Sequence, residues 1–353
     1  MRVAALYDIH ANLPALEAVS EDVRRAEADR VVARGDVLFA TARREARPKS
    51  SRERCQRAGL VSAPRTGHAR RGRRFMNTLE PLTPVYTEAL FAPLCAELVA
   101  LLRGLDDGGW QRLTIAGTWR VRDVAAHLLD GDLRRLSLGR DHHRVAPRST
   151  SSFADLVQLI DELNAGGVGY AKRLSPRVMT DLLEVTGGWV SAYVAALPPH
   201  AESDLPVAWA DEPRSENWMD AGREYTERWH HQMQIRDAVG APGLFDRRWF
   251  EPLLDLSVRA FHRAYRDVAA PDGTNVVFEA GQEHAWSVVR DASHWRVMRG
   301  RAARAAAFVR ADADSAWKLL FNALTPDAVR ARVVVSGDRA LAEPMLAARS
   351  VMV

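Results

Sequence analysis

The chain has 353 residues, 47% of them hydrophobic, and a formal net charge of +4 at pH 7. This length predicts more than one domain, and the apolar content suffices for sizeable cores. Only two cysteines occur, which excludes a disulfide framework and a cysteine-rich metal site. No apolar run approaches the length of a membrane span. Because no basic segment followed by an apolar one opens the sequence, we expect a cytoplasmic protein without a secretory signal.

The positive charge is concentrated in one stretch. Residues 41–75 contain eleven Arg and one Lys against two Glu, a net charge of +10. Since the whole chain carries only +4, the remaining residues sum to −6 and are mildly acidic. This distribution does not support a nucleic-acid-binding surface on a folded domain, so we expect neither specific nucleic acid nor membrane as a partner.

Residues 1–40 have the pattern strand, loop, helix, strand. The apolar runs Val3–Tyr7 and Arg30–Arg34 predict two strands, and the apolar spacing between Leu13 and Arg25 is helical.

Polar residues follow both predicted strands. Asp8-Ile-His10 and Gly35-Asp36 resemble the first metal-ligand loops of the calcineurin-like metallophosphoesterases. This resemblance implies a two-metal centre with Asp8, His10 and Asp36 among its ligands. The later Gly-Asn-His and Gly-His-x-His motifs of that family are absent, so the ligand set is incomplete and the segment is interpreted as a truncated fragment.

Residues 41–75 are rich in Arg, Ala, Ser and Gly and show no apolar period. Such a segment cannot bury enough surface to offset its ordering entropy, which predicts a disordered basic linker. It could instead act as a nonspecific anion-binding arm. A third interpretation is a truncated or frame-shifted reading frame, in which Met76 is the natural start; a true fusion of two segments is the alternative.

Residues 76–270 are predicted to be helical. Phe91, Leu94, Leu98 and Leu101 form one apolar stripe, although Pro93 should kink or delay that helix. The following predicted helices are 121–138, 153–174, 178–197, 217–239 and 250–268. Helices of this length with modest loops favour a four-helix bundle with additions.

After residue 270 the period changes from helical to alternating. Four short strands are predicted, at 275–279, 285–289, 294–298 and 305–309, followed by a helix to Leu324, a strand at 332–335 and a helix at 341–349. Residues 271–353 therefore read as a small α+β domain, and the chain as a whole as mainly α.

Three residues on two of the predicted helices form a candidate metal site. Glu227 and His231 are four residues apart, which places their side chains on one helix face, about 5–6 Å apart at Cβ. His127 lies on another helix. Two imidazoles and one carboxylate would leave a coordination position open, as in catalytic zinc sites. The alternative is a solvated Glu–His pair.

The segments around these residues resemble a known family. Trp119-Arg-Val-Arg-Asp-Val-Ala-Ala-His127 and Glu227-Arg-Trp-His-His231 are similar to the two ligand helices of DinB-like proteins, and most of all to the mycothiol-dependent maleylpyruvate isomerases. The resemblance extends from about Met76 to the C-terminus. Arg120 departs from the family's Ser or Thr at the helix N-cap, which weakens that cap by about 1 kcal/mol.

The resemblance implies both a fold and a reaction. The fold is a DinB-like metal-binding bundle with a small C-terminal domain. The implied ligands are His127, Glu227 and His231, the metal is zinc, and mycothiol is the thiol cosubstrate. A metal-bound thiol is held as the nucleophilic thiolate, and its addition to an activated double bond permits cis–trans isomerisation of an electrophilic small molecule.

Two other functions stay open at this point. One is a metal-binding bundle that senses or binds without turnover, which a sealed metal site would favour. The other is a phosphohydrolase using Asp8, His10 and Asp36, against which the missing ligands argue.

The first prediction concerns the N-terminal segment. A protein made of residues 76–353 should be soluble and retain its metal, because the linker is predicted to make few contacts with the bundle. Its thermal midpoint should lie within about 2–4 °C of that of the full chain, the shift that a change of about 1 kcal/mol causes in a protein of this size. Aggregation or metal loss would instead show that residues 1–75 are structural.

Overall fold

A computed structural model describes residues 3–7, 30–34, 79–143 and 153–350, except residues 205, 206, 208, 209, 211, 213 and 293. For residues 3–7, 30–34 and 153–157 it describes the backbone alone. The predicted helix within residues 13–25, the basic linker at 41–75, and the candidate ligands Asp8, His10 and Asp36 lie outside the described residues.

The chain divides into two compact units, Met1–Ala69 and Arg70–Val353. In the first unit, strands β1 (Val3–Tyr7) and β2 (Arg30–Arg34) pair in parallel, with Val3 opposite Arg30. Both strands were predicted from their apolar runs, and both are confirmed.

The second unit begins with a short strand and then becomes helical, so the mainly α prediction for this region is confirmed. The strand, β3, is Glu80–Pro81. The helices that follow are α1 (Glu88–Arg103), α2 (Asp107–Trp110), α3 (Val121–Arg134), α4 (Phe153–Ala171), α5 (Pro176–Ala196), α6 (Asn217–Val239), α7 (Arg247–Ser257) and α8 (Ala260–Tyr265).

Three helix predictions need correction. Helix α1 starts at Glu88, and Pro93 lies inside it; a proline in the second turn removes a single backbone hydrogen bond, which the packed helix tolerates. Helix α3 ends at Arg134 and continues as a π-helix, Arg135–Arg140. The predicted helix at 250–268 is two helices, α7 and α8, because the chain bends between them.

Helix α3 packs against α4, α5 and α6, and α1 packs against α5 and α6. The side chains that fill this helical core are apolar at helical spacing, and Val121, Val124, Met179, Leu183 and Ile235 are almost completely buried. Burying a side chain of this size contributes about 1.5–3 kcal/mol, so this core holds α3 and α6 at fixed positions.

The C-terminal region forms a six-stranded mixed sheet in the order β3-β6-β5-β4-β7-β8. Only the pair β4–β7 is parallel within it. Its remaining elements are β4 (Asn275–Ala280), β5 (His284–Asp291), β6 (His294–Arg299), β7 (Ala307–Ala311), α9 (Ala313–Leu320), α10 (Pro326–Arg332), β8 (Val334–Gly337) and α11 (Arg339–Ala347).

Two elements of this sheet region differ from the sequence prediction. Strand β3 was not predicted, although it pairs with β6 through Glu80 and Arg299. Arg332, predicted to begin a strand, ends helix α10. That helix starts where Thr325 accepts a hydrogen bond from the backbone of Ala328 and Pro326 occupies the first turn, both of which are helix-start signals.

One aromatic cluster joins the helices to the sheet. The ring of Trp229 on α6 lies 5.8 Å from that of Trp317 on α9 and 5.9 Å from that of Phe250 on α7. Nε1 of Trp286 on β5 donates to Asp255 on α7 at 2.9 Å. Because helices and sheet share this core, the division into 76–270 and 271–353 stays a prediction from the sequence.

Among the described residues, no helix is both long and apolar enough to cross a membrane.

The second prediction compares two neighbouring glycines of α5. A methyl group at Gly187 would overlap Sγ of Cys95 on α1, whereas nothing lies within 4 Å of one at Gly188. Gly187→Ala should therefore lower the free energy of unfolding by about 1–3 kcal/mol through overpacking. Gly188→Ala should raise the free energy of unfolding by about 0.5–1 kcal/mol, because alanine has a higher helix propensity than glycine. Urea denaturation measures both, and equal effects would contradict the observed packing of α1 on α5.

Candidate metal centre

Glu227 and His231 lie on one face of α6, as their spacing predicts. Oε2 of Glu227 is 3.3 Å from Nε2 of His231. The His231 side chain is 12% exposed and the Glu227 side chain 28%, so the carboxylate is the part of the pair that solvent reaches.

His127 on α3 completes the predicted group. Its ring lies 4.6 Å from the ring of His231, at an interplanar angle of 75°, and Trp119 packs against it at 5.2 Å. Nδ1 of His127 is buried and has no hydrogen-bond partner. The fold therefore brings together two histidines that are about a hundred residues apart in the sequence.

The environment of His127 keeps its imidazole neutral. Burial lowers the pKa of His127 well below its usual value, and the nearby His231 and Arg134 lower it further. A neutral imidazole retains the nitrogen lone pair that a metal requires.

The three side chains do not form a ready-made coordination shell. In the part of the chain that the structure describes, no group of three or more His, Cys, Asp or Glu residues is arranged to hold a metal ion. Glu227 faces His231, and the predicted ligand set His127, Glu227 and His231 stays a prediction.

The helical step of 100° per residue turns His230 away from the face of His231, which predicts either a surface residue or one that supports the ligands from behind. The surface alternative is wrong, since His230 is only 5% exposed. It stacks on Phe321, with ring centroids 4.5 Å apart, and Nδ1 accepts a hydrogen bond from Nε1 of Trp317 at 2.9 Å. The spacing of α6 did not reveal this, because the covering residues come from the C-terminal region.

Two carboxylates lie within one turn of His127, where a carboxylate can orient a metal-bound imidazole, but both have other partners. Asp123 accepts a hydrogen bond from the backbone of Arg120 at 2.9 Å. It thereby caps α3, where the guanidinium of Arg120 has no acceptor to offer. Asp130 pairs with Nε of Arg134 at 2.8 Å. Both behave as ordinary helix residues.

The sequence did not indicate a group of buried ion pairs that lies beside the predicted ligands. Arg228 on α6 contacts Asp132 on α3 at 2.6 Å and Glu224 at 3.0 Å. Asp132 is 1% exposed and also accepts from Thr186 at 2.6 Å. Charged residues one turn apart on α6 are the only sequence signal for these ion pairs, and on a solvated helix they would mean little.

Helices α1, α3, α5 and α6 surround a cavity of about 20 Å³ whose lining includes Cys95, Asp132 and Arg228. This volume holds about one water molecule. Burial raises the pKa of Cys95 to about 11, and Asp132 adds to the effect. Cys95 is therefore a thiol rather than a nucleophilic thiolate at neutral pH.

Two arginines of the C-terminal region, Arg301 and Arg304, are of the residue type that binds carboxylates, and they differ in their surroundings. Nε of Arg301 donates to the buried Glu279 at 2.6 Å, so this guanidinium already has a carboxylate partner. Arg304 is exposed, and nothing in the structure distinguishes it from an ordinary surface arginine.

Comparison with known proteins finds a similarity within the helical region. Residues 91–236 match the family model of the mycothiol maleylpyruvate isomerase N-terminal domain. The matched segment runs from α1 to α6 and contains His127, Glu227 and His231. No curated protein matches the chain. The proposed resemblance of residues 237–353 to the same family stays a prediction.

Solved structures include two similar chains. One is a mycothiol-dependent maleylpyruvate isomerase, with a TM-score of 0.45, 11% sequence identity, and coverage of 72% of this chain and 93% of the other. The second is a mutant of such an isomerase, with a TM-score of 0.44 and the same identity and coverage.

The third prediction tests the group of buried ion pairs. Arg228→Met should lower the free energy of unfolding by about 3–5 kcal/mol, because it leaves the buried Asp132 without its cation. Arg103 pairs with the exposed Glu184 at 2.6 Å, so Arg103→Met should cost no more than about 1 kcal/mol. Chemical denaturation compares them, and equal losses would mean that Asp132 is not held by Arg228.

Proposed function

We propose that this chain is a metal-dependent thiol transferase or isomerase of the mycothiol maleylpyruvate isomerase type. Its cosubstrate is mycothiol, and its second substrate is an electrophilic small molecule. The observation that carries the proposal is the family match over residues 91–236, because this segment contains both helices on which His127, Glu227 and His231 lie.

The proposed ligands are His127, His231 and Glu227, with zinc as the metal. The donor set of two imidazoles and one carboxylate suits zinc. The unpartnered Nδ1 of His127 supports the assignment, because it is the one buried histidine nitrogen of the described residues that has no hydrogen-bond partner. Glu227 is more exposed than His231, so a change of its rotamer can turn its carboxylate from the His231 ring.

Zinc bound there would act as a Lewis acid and hold a thiol in its thiolate form. The chain's own residues prepare the place. Burial keeps His127 unprotonated, Trp119 covers the ring, and the packing of α3 on α6 holds the two imidazoles together. Cys95 remains a thiol inside the helical core, so the reacting sulfur comes from the cosubstrate.

The alternative is a metal-binding protein without turnover. It requires that no external thiol reach the metal, whereas the Glu227 side chain is 28% exposed. A sealed metal site would bind zinc without admitting a thiol. The two functions therefore differ in whether an external thiol reaches the metal.

The fourth prediction concerns metal content. The full chain should bind about one zinc ion, and His127→Ala should lose nearly all of it, since the remaining two ligands are too few for a zinc site. Glu227→Gln should weaken binding while preserving the helix, because Gln and Glu have similar helix propensities. His200→Ala is the matched control: His200 pairs with Glu216 on the surface, and its loss should change nothing. Elemental analysis after dialysis measures the content.

Calorimetry of thiol binding separates the two functions. Zinc-loaded protein should bind a mycothiol-like thiol much more tightly than metal-free protein. It should also release close to one proton at neutral pH, because a free thiol has a pKa near 8.5 and is mostly protonated. Titration in two buffers of different ionisation enthalpy reports that proton. Equal affinity with and without zinc would remove the thiol-transfer function and leave the binding protein.

A further inference from the structure

Four side chains form a continuous hydrogen-bonded line from the C-terminal region to the proposed metal ligands. Nε1 of Trp317 lies 2.9 Å from Nδ1 of His230, and Nε2 of His230 lies 2.8 Å from Nε2 of Gln234. The other end of the same amide, Oε1 of Gln234, lies 2.9 Å from Nδ1 of His231. The three residues on α6 are all at least partly buried, so solvent does not replace these partners.

Trp317 determines where His230 carries its proton. An indole nitrogen can only donate a hydrogen bond, so Nδ1 of His230 must accept and therefore carries no proton. A ring with a bare Nδ1 bears its proton on Nε2. The nitrogen that faces Gln234 is thus a donor.

This requirement orients the Gln234 amide. The N–H of His230 needs an acceptor, and the amino group of Gln234 offers only donors. The amide oxygen must therefore face His230 and the amino group must face His231, an exchange of two ends that moves no other atom. Nδ1 of His231 then accepts a hydrogen bond from Gln234.

The opposite side of His231 favours the same proton position. Its Nε2 lies 3.3 Å from the carboxylate of Glu227. An ionised carboxylate has only acceptors, so its charge favours a proton on Nε2 over a bare nitrogen.

We propose that the line Trp317–His230–Gln234 holds the proton of His231 on Nε2 in the metal-free protein, which makes Gln234 a positioning residue for His231. The inference deepens the proposed function and rests on it for its consequence. A metal bound beside Glu227 needs Nε2 bare. The proton must then lie on Nδ1, the Gln234 amide must turn over, and the indole of Trp317 loses its acceptor.

Zinc-ligating histidines usually donate their second ring nitrogen to a carboxylate or a carbonyl. Gln234 provides both an acceptor and a donor, so it can face either form of His231. The acceptor end is claimed by His230 as long as Trp317 donates to that ring. The contact from Trp317 on helix α9, 87 residues after His230 in the sequence, therefore opposes metal binding by His231.

Nitrogen-15 NMR of the full, metal-free chain tests the proposal directly. Spectra recorded near pH 9, well above the usual histidine pKa of about 6.5, show which ring nitrogen carries the proton. We expect His230 and His231 both to carry it on Nε2. A His231 proton on Nδ1 in the metal-free wild type would overturn the inference.

Two variants change the line in opposite ways. Gln234→Glu offers an acceptor to both rings, so the proton of His231 should move to Nδ1 while that of His230 stays on Nε2, and zinc affinity should rise roughly tenfold. Trp317→Phe adds no charge and removes the donor; His231 should then populate both forms. A proton that remains entirely on Nε2 of His231 in both variants would overturn the role of the line.

The two readouts keep the inference separate from the proposed function. Added negative charge alone could tighten zinc binding without moving a proton, and the NMR measurement distinguishes the two causes. If neither the wild type nor any variant binds zinc, the proposed metal centre is wrong, while the position of the His231 proton is still decided by the metal-free spectra.

Discussion

Helix α6 buries six polar residues, and each needs a partner inside the protein because water does not reach it. Asp220, Thr226, His230, Gln232, Gln234 and Arg236 are all less than 9% exposed. A buried polar group without a partner costs about 1–3 kcal/mol, so the neighbouring helices and the C-terminal region must be placed to supply one for each. The partners from outside α6 include Glu97 on α1 for Arg236, Arg135 of the π-helix for Asp220 and Trp317 on α9 for His230.

Two kinds of partner result on two sides of α6. Towards α3 and α5, charges are satisfied by opposite charges, as in the contact between Arg228 and Asp132. Towards α9, neutral groups satisfy one another, as between Trp317 and His230. Buried ion pairs add little net stability but are costly to break, so the first side opposes any change in the packing of α3. The side towards α9 can rearrange when the amide of Gln234 turns over. This side includes the hydrogen bond to His231.

His127 differs from His230 because its Nδ1 has no partner within the protein. His230 is hydrogen-bonded at both ring nitrogens, whereas one nitrogen of His127 is left unsatisfied. Under the proposed function, a cation held by His127, Glu227 and His231 would satisfy this nitrogen. The contact between His231 and Glu227 satisfies part of the same group without a cation.

The sequence by itself determined the local elements and the local part of the site. Helical spacing predicted α6 with its observed bounds, alternation predicted most strands of the sheet, and the four-residue step placed Glu227 and His231 on one face. The family resemblance stated for residues around His127 and His231 agrees with the model match over 91–236. These features depend on neighbours within one or two turns, which periodicity records.

Only the tertiary structure decided which distant groups meet. The approach of His127 to His231, the burial of His230 under Phe321, and the pairing of Asp132 with Arg228 all join segments tens to about a hundred residues apart. A helical pattern shows which face of a helix is apolar but not what covers it, and a charged residue on a buried face looks the same in sequence as one in water. For this reason Trp317 and Gln234, whose roles depend on hydrogen bonds between separate elements, emerged only from the folded chain.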